Sequence, residues 1–280
     1  MAAFQDRSVT VGRLRLHYLD WGGPKGKPDM LLRHGGGQDA HSWDEFSLAM
    51  RKDYHVIALD QRGHGDSDWS KRAIYTTRAH IGDIGGLVRQ SGLRRFVLAG
   101  LSMGGRNALT YAALHPEQIE RLVIVDIGPE TMQRGGRAIQ SFRRKADILP
   151  TFDAFIERAH EFNPRRSVEQ LRERLRWHLR QLPDGRWTWK NDPRYGRRRR
   201  KVLPQPDLWP AVRKIGAPTL LVRGMESDVL AADAARRMQQ AMRQCALVEI
   251  AGAGHTVPGD RPEAFATAVR EFLGLPTLAG

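Results

Sequence analysis

Phe96-Val97-Leu98-Ala99-Gly100-Leu101-Ser102-Met103-Gly104-Gly105 decides how the rest of the chain is read. A compact aliphatic run of strand length ends in glycine, one serine occupies the turn, and the helix-forming stretch Asn107–Leu114 follows directly. A serine with glycine two residues away on each side, set between a strand and a helix, is the G-x-S-x-G nucleophile elbow. The chemistry explains the spacing. Ser102 needs a strained backbone so that its hydroxyl projects from the turn, and side chains at 100 and 104 would collide with the tightly turned chain. The helix that follows presents its N-terminus, which favours negative charge developing on a substrate oxygen. Five-residue matches of this kind occur by chance in loops. The strand before and the helix after are what separate this one from them.

Working outward, compact apolar runs recur at Met30–Arg33, His55–Asp60, Phe96–Gly100, Leu122–Asp126, Thr219–Gly224 and Leu247–Ala251. Each suits a strand buried on both faces. Arg13–Leu19 alternates apolar and polar residues, as an edge or antiparallel strand does. Between them Ser42–Arg51, Thr77–Ser91, Met103–His115, Ala232–Arg243 and Arg261–Leu273 have helical patterning. Strands alternating with helices of this length predict an α/β fold, a mostly parallel sheet flanked by helices on both sides. The alternation breaks after Asp126. From Gly128 to about Pro206 no buried strand is evident, only arginine-rich helical stretches (Thr151–Phe162, Ser167–Leu182) and a loop bearing Trp and Pro. The strand pattern resumes at Ala217. The expected organisation is a core of residues 1–128 and 207–280 with a helical cap, residues 129–206, inserted between two of its strands.

Charge supports that division. The chain of 280 residues has 45 Lys and Arg against 31 Asp and Glu, a net charge of +14. Residues 129–206 alone hold 17 Arg and 3 Lys against nine acidic residues, so most of the excess sits in about a quarter of the chain. The run Gly196-Arg197-Arg198-Arg199-Arg200-Lys201 invites a nucleic-acid reading, but no recognition helix, RNA-binding signature or interleaved aromatic platform accompanies it. Nonspecific retention on polyanions at low salt is the expected consequence, with no specific nucleic-acid partner. The single cysteine, Cys245, excludes an intramolecular disulfide and reads as a small apolar helix residue. Residues 1–11 have no apolar core of signal-peptide length, and no run approaches the roughly 20 apolar residues of a membrane span. The expectation is a cytoplasmic protein without a membrane partner.

Three further segments assemble a site around Ser102. Leu31-Leu32-Arg33-His34-Gly35-Gly36-Gly37 puts a glycine-rich turn after a strand, where an oxyanion hole needs a free amide; Gly36 and Met103 are the two expected donors. Gly252-Ala253-Gly254-His255-Thr256-Val257-Pro258 places a histidine in a small-residue loop between the last strand and the last helix, free to swing over the serine. His34 and His64 also lie in glycine-rich turns but precede the nucleophile, and His115, beside Pro116, ends a helix. The acid has two candidates. Asp228, in the loop after Thr219–Gly224, is favoured because it gives the order Ser102, Asp228, His255; Asp126, at the end of the strand before the insertion, can also reach the histidine. Glu226 reads as a solvated neighbour of the strand end.

With these motifs in place, the chain from Val9 to the last helix resembles the α/β-hydrolase superfamily. Asp60-Gln61-Arg62-Gly63-His64-Gly65-Asp66-Ser67 resembles a structural turn of that family. The resemblance implies an eight-stranded core whose first strands run antiparallel to the rest. It also implies a helical cap between strands six and seven, with the active site beneath it. Serine rather than aspartate at 102 argues against alkyl-ester chemistry of the dehalogenase and epoxide-hydrolase kind. It points to acyl transfer, hydrolysis of a small-molecule carboxylic ester or lactone through an acyl-enzyme. Carbon–carbon hydrolysis of a vinylogous diketone, perhydrolysis and cofactor-free oxygenation remain open on the same scaffold, as does a slow-turnover ligand receptor. No metal cluster or nucleotide fingerprint is present, so neither metal nor cofactor is expected. The expected partner is a small-molecule substrate, anionic or aromatic, and a homodimer is left open. Trp177, Trp187, Trp189, Phe152 and Phe155 are candidates for the pocket wall, with packing of the cap as the blander role for each. Arg134, Arg137, Arg143 and Arg144 are candidates for pairing a substrate carboxylate, with a solvated face as the safer reading.

Overall fold

A computed structural model describes residues 4–144, 147–195 and 207–277. Its centre is an eight-stranded sheet. In chain order the strands are β1 (Gln5–Val11), β2 (Leu14–Asp20), β3 (Asp29–Arg33), β4 (His55–Leu59), β5 (Phe96–Leu101) and β6 (Ile119–Val125). After the insertion, which contains three short strands of its own, the sheet is completed by β10 (Thr219–Gly224) and β11 (Cys245–Ile250). Their spatial order is β1-β2-β4-β3-β5-β6-β10-β11.

Every neighbouring pair from β4 to β11 is parallel. β2 is antiparallel to both of its neighbours. The two reversals cancel, so β2 alone runs against the sheet and β1 runs with the majority, which corrects the expectation that the first strands as a group oppose the rest. The cause is local: β1 and β2 form a hairpin closed at Gly12 and Arg13, with Gly12 at φ 62°. β1 itself carries one buried residue, Val9, in a polar run, which is why its sequence does not stand out.

Side-chain alternation divides the sheet between two cores. Leu31, Leu98 and Ile124 pack toward α2 (Thr77–Gln90), α3 (Met103–Leu114), α7 (Trp209–Lys214) and α8 (Ala232–Ala241). Met30, Val97 and Val123, one residue earlier on the same strands, face α1 (Asp44–Met50), α9 (Val257–Asp260) and α10 (Pro262–Phe272). β11 departs from the expected two-sided burial because it ends the sheet, and most of its residues are only partly covered. Cys245 is its first residue rather than a helix residue, and burial pushes the thiol up to about 11.

Between β6 and β10 lie α4 (Gln133–Arg144), α5 (Phe152–Phe162) and α6 (Val168–His178), with β7 (Ile148–Leu149), β8 (Leu179–Gln181) and β9 (Trp187–Trp189). The three strands pair antiparallel in the order β7-β9-β8. This small sheet was not expected. Its strands have two or three residues and are mostly exposed or half-buried, so they leave no apolar run to read. The insertion has its own apolar cluster, in which Phe155, Ile156, Leu171 and Leu175 are buried. It is held on the sheet domain by buried polar contacts: His178 Nδ1 lies 2.6 Å from Asp39, and Arg166 Nε lies 3.1 Å from Asp260. Among the described residues no helix is long and apolar enough to cross a membrane.

Candidate active site

Ser102 sits between the last residue of β5 and the first of α3, with φ 53° and ψ −114°. For a residue with a side chain this left-handed backbone is strained, and the surrounding contacts must enforce it. The Ser102 amide donates to Val125 O at 3.1 Å, which ties the turn to the end of β6. Packing also explains the glycines. A Cβ at Gly100 would stand 2.5 Å from the carbonyl carbon of Gly104, and one at Gly104 would stand 2.3 Å from Arg33 O. Gly104→Ala is therefore expected to lower stability by about 1–3 kcal/mol or more through overpacking. Urea melts of the two proteins would show this; coincident curves would mean that the elbow can open without cost.

The Gly35–Gly37 turn follows β3 and lies beside Ser102 in one cavity. Met103 opens α3, where a helix has no internal acceptor for its amide. Beneath the turn is a hub that sequence reading missed, Gln61. Its backbone N–H donates to His34 Nε2 at 2.9 Å, and its side-chain amide donates to His34 O at 2.6 Å. Its Oε1 accepts from Arg33 Nη2 at 2.5 Å and from Asn107 Nδ2, on α3, at 3.1 Å. Burial pushes the His34 imidazole well below its ordinary range, with nearby His64 adding to the effect. A neutral His34 fits its contacts, since Nε2 accepts and Nδ1 donates to Gly35 O at 2.7 Å. Burial likewise pushes the enclosed Arg33 guanidinium down to about 9. One side chain thus braces both the glycine turn and the helix that follows Ser102. The Asp60–Ser67 turn is structural, as expected, for Asp60 accepts from the amides of Ala40 and Asp66 and meets His17 Nδ1 at 2.8 Å.

His255 lies in the loop between β11 and α9 and lines the cavity together with Ser102. Its Nδ1 is 2.7 Å from Asp126 Oδ2. The favoured acid, Asp228, is corrected: the structure pairs His255 with its rival. Asp126 is fully buried, has φ 50°, and also accepts from the Gly224 amide at 3.1 Å and the Ser227 hydroxyl at 2.5 Å. Ser227, one residue before Asp228, therefore faces inward. Its oxygen in turn accepts from the amides of Val229 and Leu230, so its proton is committed to Asp126. Asp228 lines the cavity, and its backbone carbonyl accepts from Gly135 at the start of α4, holding the insertion. With Nδ1 engaged by a carboxylate, Nε2 is the ring nitrogen left to serve as base.

The sequence model of the alpha/beta hydrolase family matches residues 30–268. The chain belongs to the alpha/beta hydrolase family. Among curated proteins it is 29% identical to the esterase Rv0045c of Mycobacterium tuberculosis, over 91% of this chain and 85% of that one. It is 26% identical to the 2-(acetamidomethylene)succinate hydrolase of Mesorhizobium japonicum, over 96% and 95%. Among solved structures, an alpha/beta hydrolase from Novosphingobium aromaticivorans superposes with a TM-score of 0.87 at 27% identity, covering 98% of this chain and 99% of the other.

The cavity of this hydrolase has a volume of about 870 Å³. Its outer wall comes from the insertion, but the candidate aromatics there take the packing role. Phe152, Phe155, Trp187 and Trp189 pack in the insertion's own core, and Trp177 stacks on His41 with ring centroids 4.0 Å apart. The aromatic wall is Phe142, Phe162 and Tyr195 instead, the two phenylalanines in contact at 4.4 Å. Of the candidate arginines, Arg134 lines the cavity, whereas Arg137 donates to Gln133. The side chains of Arg143 and Arg144 and the run 196–201 lie outside the described residues. Glu226 is not simply solvated, for it accepts from Arg165 at 2.7 Å across the cavity mouth.

Proposed function

We propose that this hydrolase cleaves small-molecule carboxylic esters or lactones through an acyl-enzyme on Ser102. Ser102 is the nucleophile, His255 the general base, Asp126 its orienting acid, and the Gly36 and Met103 amides the oxyanion donors. The observation that carries this reading is the strained Ser102 turn sharing a cavity with a histidine whose far nitrogen is held by a buried carboxylate. In the first half-reaction, Ser102 Oγ bonds to the carbonyl carbon while its proton passes to His255 Nε2. The carbonyl electron pair moves onto oxygen, where the two amides receive it. Collapse expels the alkoxide, which takes the proton from His255, and water repeats the sequence to release the acid. The insertion, residues 129–206, acts as the cap that sets specificity, since Phe142, Phe162 and Arg134 form the outer wall. This composition suits an acyl or alcohol group that is apolar or aromatic and carries an anionic end. The two relatives named above, an esterase and a 2-(acetamidomethylene)succinate hydrolase, accord with acyl transfer.

Titration with a fluorophosphonate tests the assignment. Hydrolysis of p-nitrophenyl butyrate is expected to fall in proportion to a single adduct, located by peptide mass spectrometry on Ser102. Activity that persists once Ser102 is fully modified would overturn the reading.

A further inference from the structure

Among the described residues of the cavity wall, Tyr195 is the aromatic side chain that carries a hydroxyl. Its hydroxyl donates to Met103 Sδ at 2.7 Å, and a Cβ placed on Gly36 would stand 3.1 Å from that same hydroxyl. It therefore touches the Met103 side chain and closes on Gly36, the two residues proposed above to supply the oxyanion amides. We propose that the Tyr195 hydroxyl is a third oxyanion donor, supplied to the site by the insertion; the inference rests on the acyl-transfer reading above.

Three observations support it. The phenol is held rigidly: its ring meets His64 edge-on at 4.5 Å and Tyr75 at 5.5 Å. The segment leading to it is clamped to the sheet domain. Buried Asp192 takes the Tyr75 hydroxyl and the Arg194 amide, its own amide donates to Gly63 O, and the Tyr195 amide donates to Asp192 O. Arg194 reaches further, to the carbonyls of Ser70 and Lys71. Finally, one contact of the hydroxyl is with a thioether sulfur, a weak acceptor. Turning the O–H from sulfur to an oxyanion exchanges a weak bond for a charge-assisted one and needs only rotation about the C–O bond. The proton stays on the phenol throughout; the tetrahedral oxygen gains a hydrogen bond and no bond is made or broken there. The approach is close enough that a side chain at residue 36 would press on the phenol.

Because the donor acts on charge that exists only in the transition state, Tyr195→Phe is expected to lower kcat on p-nitrophenyl butyrate by about 10²-fold with KM unchanged. A trifluoromethyl ketone, which forms an anionic hemiketal on Ser102, should lose affinity in parallel with kcat/KM. 3-Fluorotyrosine at 195, a stronger donor of the same shape, should bind the ketone at least as tightly as wild type when assayed below its ionisation. A Tyr195→Phe enzyme with wild-type kcat, or one changed in KM alone, overturns the inference. So does a fluorotyrosine enzyme that binds the ketone as weakly as the Phe variant. Those results would leave the acyl-enzyme reading intact, provided wild-type turnover still depends on Ser102. Absence of Ser102-dependent turnover in wild type would overturn both.

Discussion

Ser102→Ala is expected to reduce kcat on short acyl esters by on the order of 10⁵- to 10⁶-fold while leaving KM nearly unchanged. The hydroxyl is the only atom lost, and the turn that holds it is enforced by the backbone around it. The Ser102 amide still bonds Val125 O, and the Arg106 amide still bonds Ser102 O. Relief of strain at φ 53° makes no demand that alanine cannot meet, so the fold should survive. Residual rate would come from the oxyanion donors and substrate positioning, which in such sites retain about 10³–10⁴-fold over water. Steady-state kinetics on p-nitrophenyl butyrate, with protein mass checked for wild-type carry-over, would measure it. A rate within tenfold of wild type would remove Ser102 from the mechanism.

Asp126→Asn is expected to lower kcat by about 10⁴-fold, and Asp228→Asn to leave it within about threefold. The asymmetry follows from what each carboxylate touches. Asp126 Oδ2 faces His255 Nδ1, and an asparagine there offers either an amide donor or a weaker, neutral acceptor. A donor forces the imidazole proton onto Nε2, the nitrogen proposed to accept the proton of Ser102. Ser227 and the Gly224 amide both donate toward the same carboxylate, so the substituted side chain cannot rotate to satisfy all three partners. Asp228 contributes its backbone carbonyl to the insertion, and that bond is indifferent to the side chain. Rate-versus-pH profiles of both variants would separate the cases. A severe loss confined to Asp228→Asn would restore the sequence-based preference.

Much of this molecule is legible in its sequence, and the parts that are legible share a property. The strand–turn–helix around Ser102, the Gly35–Gly37 turn and the small-residue loop at His255 are each set by a few neighbouring residues. Backbone geometry at a tight turn restricts which residues can occupy it. The parallel core strands also announce themselves, because burial on both faces demands continuous apolar runs. β1 and the small sheet of the insertion lack that demand, and they were missed. For the aromatics of the insertion, composition left a pocket wall and packing both open, and tertiary contacts decided for packing, with Phe155 buried and Trp189 partly buried in one cluster.

What the tertiary structure alone decided is which distant groups meet at the serine. β6 and β10 run side by side in parallel, with Val125 opposite Val222, so Asp126 ends next to Gly224 and below the His255 loop. Asp126 and His255 are 129 residues apart in the chain, and Asp228 is much nearer to His255 in sequence. The choice turned on a one-residue phase in the β10 loop, where Ser227 rather than Asp228 points inward. Tyr195 and Gln61 likewise owe their places to contacts across the sheet domain and the insertion. The sequence by itself determined the strained turn that presents Ser102, because that turn is a local solution to local sterics. The pairing of Asp126 with His255, and the place of the Tyr195 hydroxyl, depend on the packing of strand ends and on a clamp between segments more than a hundred residues apart, which no local pattern records.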